Sequence, residues 1–312
     1  MASRTLAAGI IFLSQTVVGI LGNFSLLYHY LFLYYTDHKL KLIDLILMHL
    51  IIANSLVIVS KGIPQTMTVF GLKHLFNDFG CKLLLYVQRV GRSVSINTTC
   101  LLSVFQVIMI TPMNSSWKYL KVKAPEYTGY SISFCWFMHM VVNFIFPMYV
   151  LVKWNSKNTT NKRDFGYCSS AGNDKITDTL YTVLLVFPEV LFSVLIIWSS
   201  VSMIIILYKH KQQVQHIHSI NVMSRPSPES RATKSILVLL STFVSFYTIS
   251  SIFNACIALL YNPNWWLVDA TAFISVCFPT LSPFLLMSRD SPAFRFFSLG
   301  KECKSSNIII NM

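Results

Sequence analysis

The chain has 312 residues, of which 54% are hydrophobic, 14% aromatic and only 12% charged. A soluble globular chain averages about 25% charged residues, so this composition excludes an ordinary soluble domain and indicates a membrane protein. The formal net charge of +13 is compatible with nucleic-acid binding, but the basic residues flank apolar segments, which is typical of membrane topology. We therefore expect membrane lipid around the chain and no nucleic-acid partner.

Apolar stretches of about 20 residues, long enough to cross a hydrocarbon core of about 30 Å as helices, recur along the chain. The first is too long for the apolar core of a signal peptide, so we interpret it as a retained helix. The pattern predicts an all-α membrane protein, a seven-transmembrane helix bundle forming one domain over 1–312. The predicted helices are approximately 7–33, 43–67, 82–111, 127–151, 176–208, 235–260 and 265–288.

Lysines and arginines follow predicted helices one, three, five and seven, which places them on one side of the membrane. By the positive-inside rule that side is cytoplasmic, so we expect an extracellular N-terminus and a cytoplasmic C-terminus with a short tail, 289–312. Asn158, in an Asn-Thr-Thr acceptor sequence of the second extracellular loop, is a predicted glycosylation site and agrees with this orientation.

The cysteines divide in the same way. Cys81 at the start of helix three and Cys168 in the second loop both face the oxidising extracellular side, and we predict a disulfide between them. Cys303 in the tail is a candidate palmitoylation site. Four further cysteines lie inside predicted helices, where a thiol behaves as a small hydrophobe: Cys100, Cys135, Cys256 and Cys277.

Polar groups inside the first two predicted helices must find partners within the protein or reach the headgroups. Asn23 in helix one is expected to hydrogen-bond between helices. Lys61, near the outer end of helix two, is expected to extend its ammonium to the headgroups, with ligand contact as the alternative.

Helix three carries ionisable groups where a charge is costly and marks a functional site. Arg92 lies about 16 Å below the start of the helix, with Arg89 and Gln88 one turn above on the same face. One interpretation is an electropositive cavity whose guanidinium pairs with a sulfate, carboxylate or carbonyl of a ligand. The other is an internal ion pair with Glu189, which follows Pro188 in helix five. The two interpretations are compatible, and both stay open.

Weaker candidates lie on helices six and seven. Phe246 and Tyr247 are expected to form the apolar wall of a small-ligand site. Asp269 lies one turn below Trp265 and is a candidate ligand contact or lysine partner. Trp265 and Trp266 have the composition of an interfacial anchor.

Four stretches of the sequence resemble vomeronasal type-1 receptors, a pheromone-receptor family of G-protein-coupled receptors, and the resemblance covers essentially the whole chain. It implies detection of volatile, small organic or steroid-like chemosignals on vomeronasal sensory neurons, at the plasma membrane. It further implies coupling to an inhibitory-class G protein and a TRP-type cation channel. The stretches are CLLSVFQVIMITPMNSSWKYLKVKAP, HKQQVQHIHS, SPESRATKSILVLLSTFVSFYTISSIF and NPNWWLVDATAFISVCFPTLSPFLLMS.

The chain departs from the larger rhodopsin-like class at its usual activation motifs. Ile110 to Asn114, ITPMN, replaces Asp-Arg-Tyr, and helix seven reads PTLSP instead of Asn-Pro-x-x-Tyr. Asn54 stands where that class usually has a sodium-binding Asp, so we expect no sodium site. The activation contacts that these motifs make in the rhodopsin-like class therefore cannot be assigned to this chain.

Basic residues of the cytoplasmic loops have two interpretations: a docking surface for a G protein, or a solvated strip attracted to anionic lipid. The residues proposed to contact the G protein are Lys118, Lys121, Lys123, Lys209, Lys211, Arg231 and Lys234.

No phosphate loop, metal-ligand spacing or nucleophile motif is found, so we expect no enzyme, cofactor or bound metal. The rival functions are a bitter-taste-like receptor and a small-solute transporter or channel, which would need internal repeats.

Overall fold

The described part of the chain is almost entirely helical, as seen in a computed structural model. The helices are α1 Ala2–Asp37, α2 Leu42–Val57, α3 Ile63–Val69, α4 Asp78–Ile110, α5 Ser115–Tyr149, α6 Lys175–Ile217, α7 Pro228–Leu259 and α8 Trp265–Asp290. The structure describes residues 2–37, 42–72, 76–111, 115–149, 162–164, 169–171, 175–217, 228–259 and 264–290.

The helices have the character of a membrane protein. Six helical segments of the described residues are long and apolar enough to cross a membrane: Leu6–Thr36, Leu42–Val69, Phe79–Ile110, Phe187–Lys209, Ile236–Ile257 and Trp265–Met287. The predicted span 127–151 falls in α5, which is not one of the six, so the seventh crossing stays a prediction. Large apolar side chains cover the outer faces, with Trp198 68% exposed and Phe134 63%. Such faces require lipid, and the chain is a multi-pass helical membrane protein.

Several helices run further than the sequence predicts. The predicted fourth helix already begins at Ser115, and the predicted fifth continues to Ile217. Both extensions are polar and rich in lysine. Hydropathy detects only the length of a helix that lies in lipid, whereas lysine, leucine and glutamine sustain a helix outside it.

The predicted second helix is interrupted between α2 and α3. Pro64 has no backbone N–H, so the carbonyl of Ser60 loses its usual helical partner. The helix widens there into a π-helical turn over Ile58–Gly62, and the Ser60 hydroxyl donates to the carbonyl of Leu56 at 2.6 Å. One extra residue in a turn rotates the following residues by about 100° about the helix axis. This turn therefore decides which side chains of α3 face the bundle.

The α4 helix occupies the centre of the bundle, where it packs against α2, α5 and α6, while α8 packs against α1 and α7. The core below the middle of α7 is aromatic. The Phe243 and Tyr247 rings stack at 4.0 Å, and Phe278 of α8 meets Phe243 edge-on at 4.7 Å. Tyr247 is 3% exposed, and Phe246 beside it is half-buried against the same core.

A carboxamide in α1 ties that helix to α8, as expected for Asn23. Pro283 cannot donate to the Pro279 carbonyl one turn before it. The Asn23 Nδ2 instead donates to this carbonyl at 2.9 Å and to the Gly19 carbonyl at 2.8 Å. The helices approach closely there, since a Cβ at Gly22 would meet Pro283 Cγ at 3.0 Å.

A second carboxamide joins three helices in the bundle centre. Ser95 of α4 donates to Asn54 Oδ1 at 2.9 Å, and Asn54 Nδ2 donates to Ser282 of α8 at 2.9 Å. All three side chains are fully buried. A neutral amide, which both donates and accepts, satisfies this position without a counter-ion.

On the predicted extracellular side, β1 (Lys162–Asp164) pairs antiparallel with β2 (Ser169–Ala171). Cys81, buried at the start of α4, is disulfide-bonded. Cys168 and Asn158 lie outside the described residues, so the Cys81–Cys168 pairing and the glycosylation stay predictions. Cys303 and the tail also lie outside them. The four helical cysteines are free thiols, as expected: Cys100, Cys135, Cys256 and Cys277.

Candidate functional site

An ion pair inside the bundle joins α4 to α6. Arg92 Nε donates to Glu189 Oε1 at 2.6 Å, and Arg92 Nη2 donates to Glu189 Oε2 at 3.0 Å. The side chains are only 11% and 20% exposed. Of the two interpretations drawn from the sequence, the internal ion pair is therefore present, and Arg92 is the arginine that forms it.

Residues of α7 complete the contacts of this guanidinium. Nη1 donates to Ser250 at 2.9 Å, and Nη2 donates to Ser251 at 2.8 Å and to the Tyr247 carbonyl at 3.4 Å. Ser251 in turn donates to the Glu189 carboxylate. The guanidinium carbon lies 4.7 Å from the centre of the Tyr247 ring, a cation–π distance. Each nitrogen of Arg92 therefore donates to at least one protein group, and the Glu189 carboxylate balances its charge.

Lys61 extends this polar cluster to α8. The Lys61 Nζ donates to Ser275 at 3.2 Å, and the Ser275 and Ser250 hydroxyls lie 2.8 Å apart. The expectation that Lys61 reaches the headgroups is wrong, because the side chain is 7% exposed inside the bundle. The π-helical turn carries this lysine and explains its direction. Pro64, shortly after it, was the signal in the sequence.

Asp269 of α8 has a partner that the sequence did not reveal. Gln65 Nε2 of α3 donates to Asp269 Oδ1 at 2.8 Å, and Gln65 is 2% exposed. Gln65 follows Lys61 by about one turn and therefore shares its face. Within the described ranges no lysine pairs with Asp269, so the lysine-partner interpretation is not supported there.

Gln88 and Arg89 lie on α4 one turn above Arg92 and are both half-buried. Each interacts with other groups of the protein, and the charge of Arg89 acts on the Glu189 carboxylate. The structure thus brings together Arg92, Glu189 and Tyr247, with Arg89 nearby. Contact of these residues, of Gln88, Phe246 or of Asp269 with a ligand stays a prediction.

The predicted cytoplasmic contacts are spread over several helices. Lys121 Nζ donates to the Met109 carbonyl at 3.0 Å and thereby caps the end of α4. Lys123 pairs with Glu126 at 3.0 Å on the surface, and Lys209 is exposed. Side chains of four other predicted contacts lie outside the described residues: Lys118, Lys211, Arg231 and Lys234.

A helical membrane bundle built around a buried charged cluster defines a polytopic membrane protein with an internal polar site. Residues 6–299 match the model of the family described as the vomeronasal organ pheromone receptor family. The chain belongs to this family, which confirms the resemblance seen in the sequence. It is a receptor family and not an enzyme family, and it supports a chemosensory receptor with a ligand and a G protein as partners.

Individual relatives agree. The chain is 57% identical over 296 residues to vomeronasal type-1 receptor 4 of Homo sapiens, covering 95% of this chain and 98% of the relative. It is 55% identical over 287 residues to human vomeronasal type-1 receptor 2, covering 92% and 73%. A more distant relative, olfactory receptor class A-like protein 1 of Danio rerio, is 28% identical over 283 residues, covering 90% and 89%.

Proposed function

We propose that the chain detects small pheromone-like or odorant-like organic compounds, including steroid-like ones, and activates an inhibitory-class heterotrimeric G protein. The observation that carries this proposal is the Arg92–Glu189 pair with its α7 serines. A buried charged cluster that joins three helices is sensitive to any ligand that enters it. Membership of the family supports the chemosensory role.

The proposed receptor is a single seven-helix domain over 1–312, with α5 as the fourth crossing. Its N-terminus is extracellular and its C-terminus cytoplasmic, in the plasma membrane of vomeronasal sensory neurons. The second loop carries a glycan at Asn158 and is fixed to α4 by the Cys81–Cys168 bridge. The charge distribution supports this orientation.

A ligand enters from the extracellular side and reaches the face formed by Gln88, Arg89 and Asp269, with Phe246 and Tyr247 as the apolar wall. Arg92 and Glu189 respond through the cluster, because a ligand group that replaces a serine hydroxyl or a carboxylate oxygen changes how α7 is held against α4 and α6. A shift from 1:99 to 99:1 between two conformations needs a binding preference of about 5.5 kcal/mol.

On the cytoplasmic side, displacement of α7 opens a surface for the G protein. Lys121 positions the end of α4 beside this surface through the Met109 carbonyl. The proposed contacts with the G protein are Lys118, Lys121, Lys123, Lys209, Lys211, Arg231 and Lys234.

Nucleotide exchange tests the proposal. Purified receptor in lipid nanodiscs is mixed with inhibitory-class and other G proteins, and small organic, sulfated-steroid and urinary-volatile mixtures are added. We expect ligand-dependent exchange on the inhibitory class. Failure to accelerate exchange on any G protein, with a bound compound verified by mass spectrometry, would remove the proposal.

A further inference from the structure

The Lys61 ammonium is a buried charge without a charged partner among the described residues. It is 7% exposed, and it donates to a hydroxyl, that of Ser275, at 3.2 Å. The ion pairs in the described parts of the chain are Arg92–Glu189 and Lys123–Glu126, and neither includes Lys61. A buried charge is costly unless it is paired. An anion bound beside Lys61 would therefore stabilise the charged form of its amine.

Neighbouring groups make this requirement stronger. The charges of Arg89 and Arg92 act on Lys61 with the same sign and repel it. The Glu189 carboxylate is held by Arg92 and Ser251. Asp269 accepts from Gln65 and lies about 9 Å outward of Ser275 along α8. Neither carboxylate neutralises the ammonium.

The fold fixes Lys61 in this position. The ammonium projects from a π-helical turn, a feature that often marks functional sites. Gly62 beside it packs so closely that a Cβ there would lie 2.9 Å from Thr16 Oγ1, so the turn has little freedom to rotate. Val69, at the outer end of α3, is about 12 Å along the helix from Lys61, too far for the ammonium to reach water past it.

We propose that Lys61 is the ligand-anchoring residue of this receptor and that its ligands are organic acids, whose carboxylate or sulfate pairs with the ammonium. The inference rests on the proposed function and names its ligand class. An ammonium has three N–H donors and no acceptor, and Ser275 takes one of them. The charge of Arg92 is already balanced by Glu189, so the acid pairs with Lys61.

Binding is measured on the purified full chain in lipid nanodiscs by affinity-selection mass spectrometry. The probes are phenylacetate, decanoate and cholate with their methyl esters, and 2-naphthyl sulfate with 2-naphthol. We expect at least one acid to bind about tenfold more tightly than its neutral partner. Lys61→Met abolishes this preference without weakening the neutral probe, Lys61→Gln acts in the same direction, and Lys61→Arg retains it. Binding of no acid, or an unchanged preference in Lys61→Met and Lys61→Gln, overturns the proposal.

Thermal unfolding without ligand separates this role from a structural one. Removing an unpaired buried charge raises the Tm, so we expect Lys61→Met to unfold at a higher temperature than the wild type. A lower Tm in both Lys61→Met and Lys61→Gln makes Lys61 a structural residue and overturns the proposal. The binding assay needs no G protein. Acids that bind through Lys61 but trigger no exchange therefore defeat the proposed function alone, whereas exchange driven only by neutral compounds defeats the Lys61 proposal alone.

Discussion

The Asn23 carboxamide donates to the Pro279 carbonyl, which Pro283 leaves without its helical partner, and so joins α1 to α8 at 2.9 Å. A proline inside a spanning helix frees a carbonyl that lipid cannot satisfy. The hydrogen bond from α1 therefore both satisfies that carbonyl and sets the contact between two helices.

Asn23→Ala removes this donor. We expect the free energy of unfolding to fall by about 1–2 kcal/mol, since interhelical hydrogen bonds in membranes are modest but a buried carbonyl is left unpaired. Thermal unfolding in nanodiscs measures the change. Ser14→Ala, whose exposed hydroxyl donates only to its own helix at Ile11, is the matched control and leaves the Tm unchanged. Equal Tm values for both variants would contradict the prediction.

The Arg92–Glu189 pair is tested by a double-mutant cycle. Arg92→Met or Glu189→Leu alone leaves one buried charge unpaired, and each single change costs about 3–5 kcal/mol. The double variant recovers part of this loss, so its change in the free energy of unfolding is smaller than the sum of the two single changes. Surface expression and Tm report the effect. If the single changes simply add, the two groups do not stabilise each other.

The exposed Lys123–Glu126 pair provides the control cycle for the same experiment. Both side chains are well exposed, and ion pairs of this kind contribute little. Lys123→Ala, Glu126→Ala and the double variant are all expected to keep the wild-type Tm. A coupling energy as large as that of Arg92–Glu189 would show that burial does not determine how strongly an ion pair stabilises this protein.

Sodium dependence tests the neutral amide at Asn54. We expect the Tm of the wild type to be equal in sodium chloride and choline chloride, because Asn54 is satisfied by Ser95 and Ser282. Asn54→Asp introduces an unpaired buried carboxylate, which destabilises the fold and creates a demand for a cation. This variant is therefore expected to regain stability in sodium only, through ligand linkage. A higher Tm of the wild type in sodium chloride than in choline chloride would show that this expectation is wrong.

Lys121 is tested through the end of α4. Lys121→Ala removes the donor to the Met109 carbonyl, and a cation at a helix C-terminus contributes about 0.3–1 kcal/mol. We expect amide hydrogen exchange at the last turn of α4 to rise by about two- to fivefold. Lys123→Ala, which removes a nearby lysine bonded only to Glu126, is the control. Equal exchange rates in the two variants would show that Lys121 does not hold the helix end.

Much of the fold could be predicted from the sequence because a membrane requires long apolar helices, and length alone identifies them. The Arg92–Glu189 pair could also be predicted, since two opposite charges deep in spanning segments have few other partners. The α5 crossing could not be confirmed in this way. Its first turns carry lysines, and they obscure where a membrane-spanning segment begins.

The rest of the site could not be predicted, for two physical reasons. Helical serines often bond to their own backbone, as Ser275 does to the Thr271 carbonyl at 2.6 Å, so serine in a helix carries no signal for a distant partner. The direction of Lys61 depends on a change of helical period, whereas periodicity arguments assume 3.6 residues per turn. The same assumption hid Gln65.

The π-helical turn at Ile58–Gly62 has a consequence for insertions and deletions. This turn holds one residue more than an α-helical turn. A relative that lacks one residue at this place therefore still spans the membrane, with an uninterrupted α-helix. The outer third of that helix, however, is turned by about 100°, so the residue aligned with Lys61 no longer points toward Ser275. Two receptors with the same hydropathy profile thus present different interiors, and a single codon in this turn changes which of their side chains a chemosignal meets.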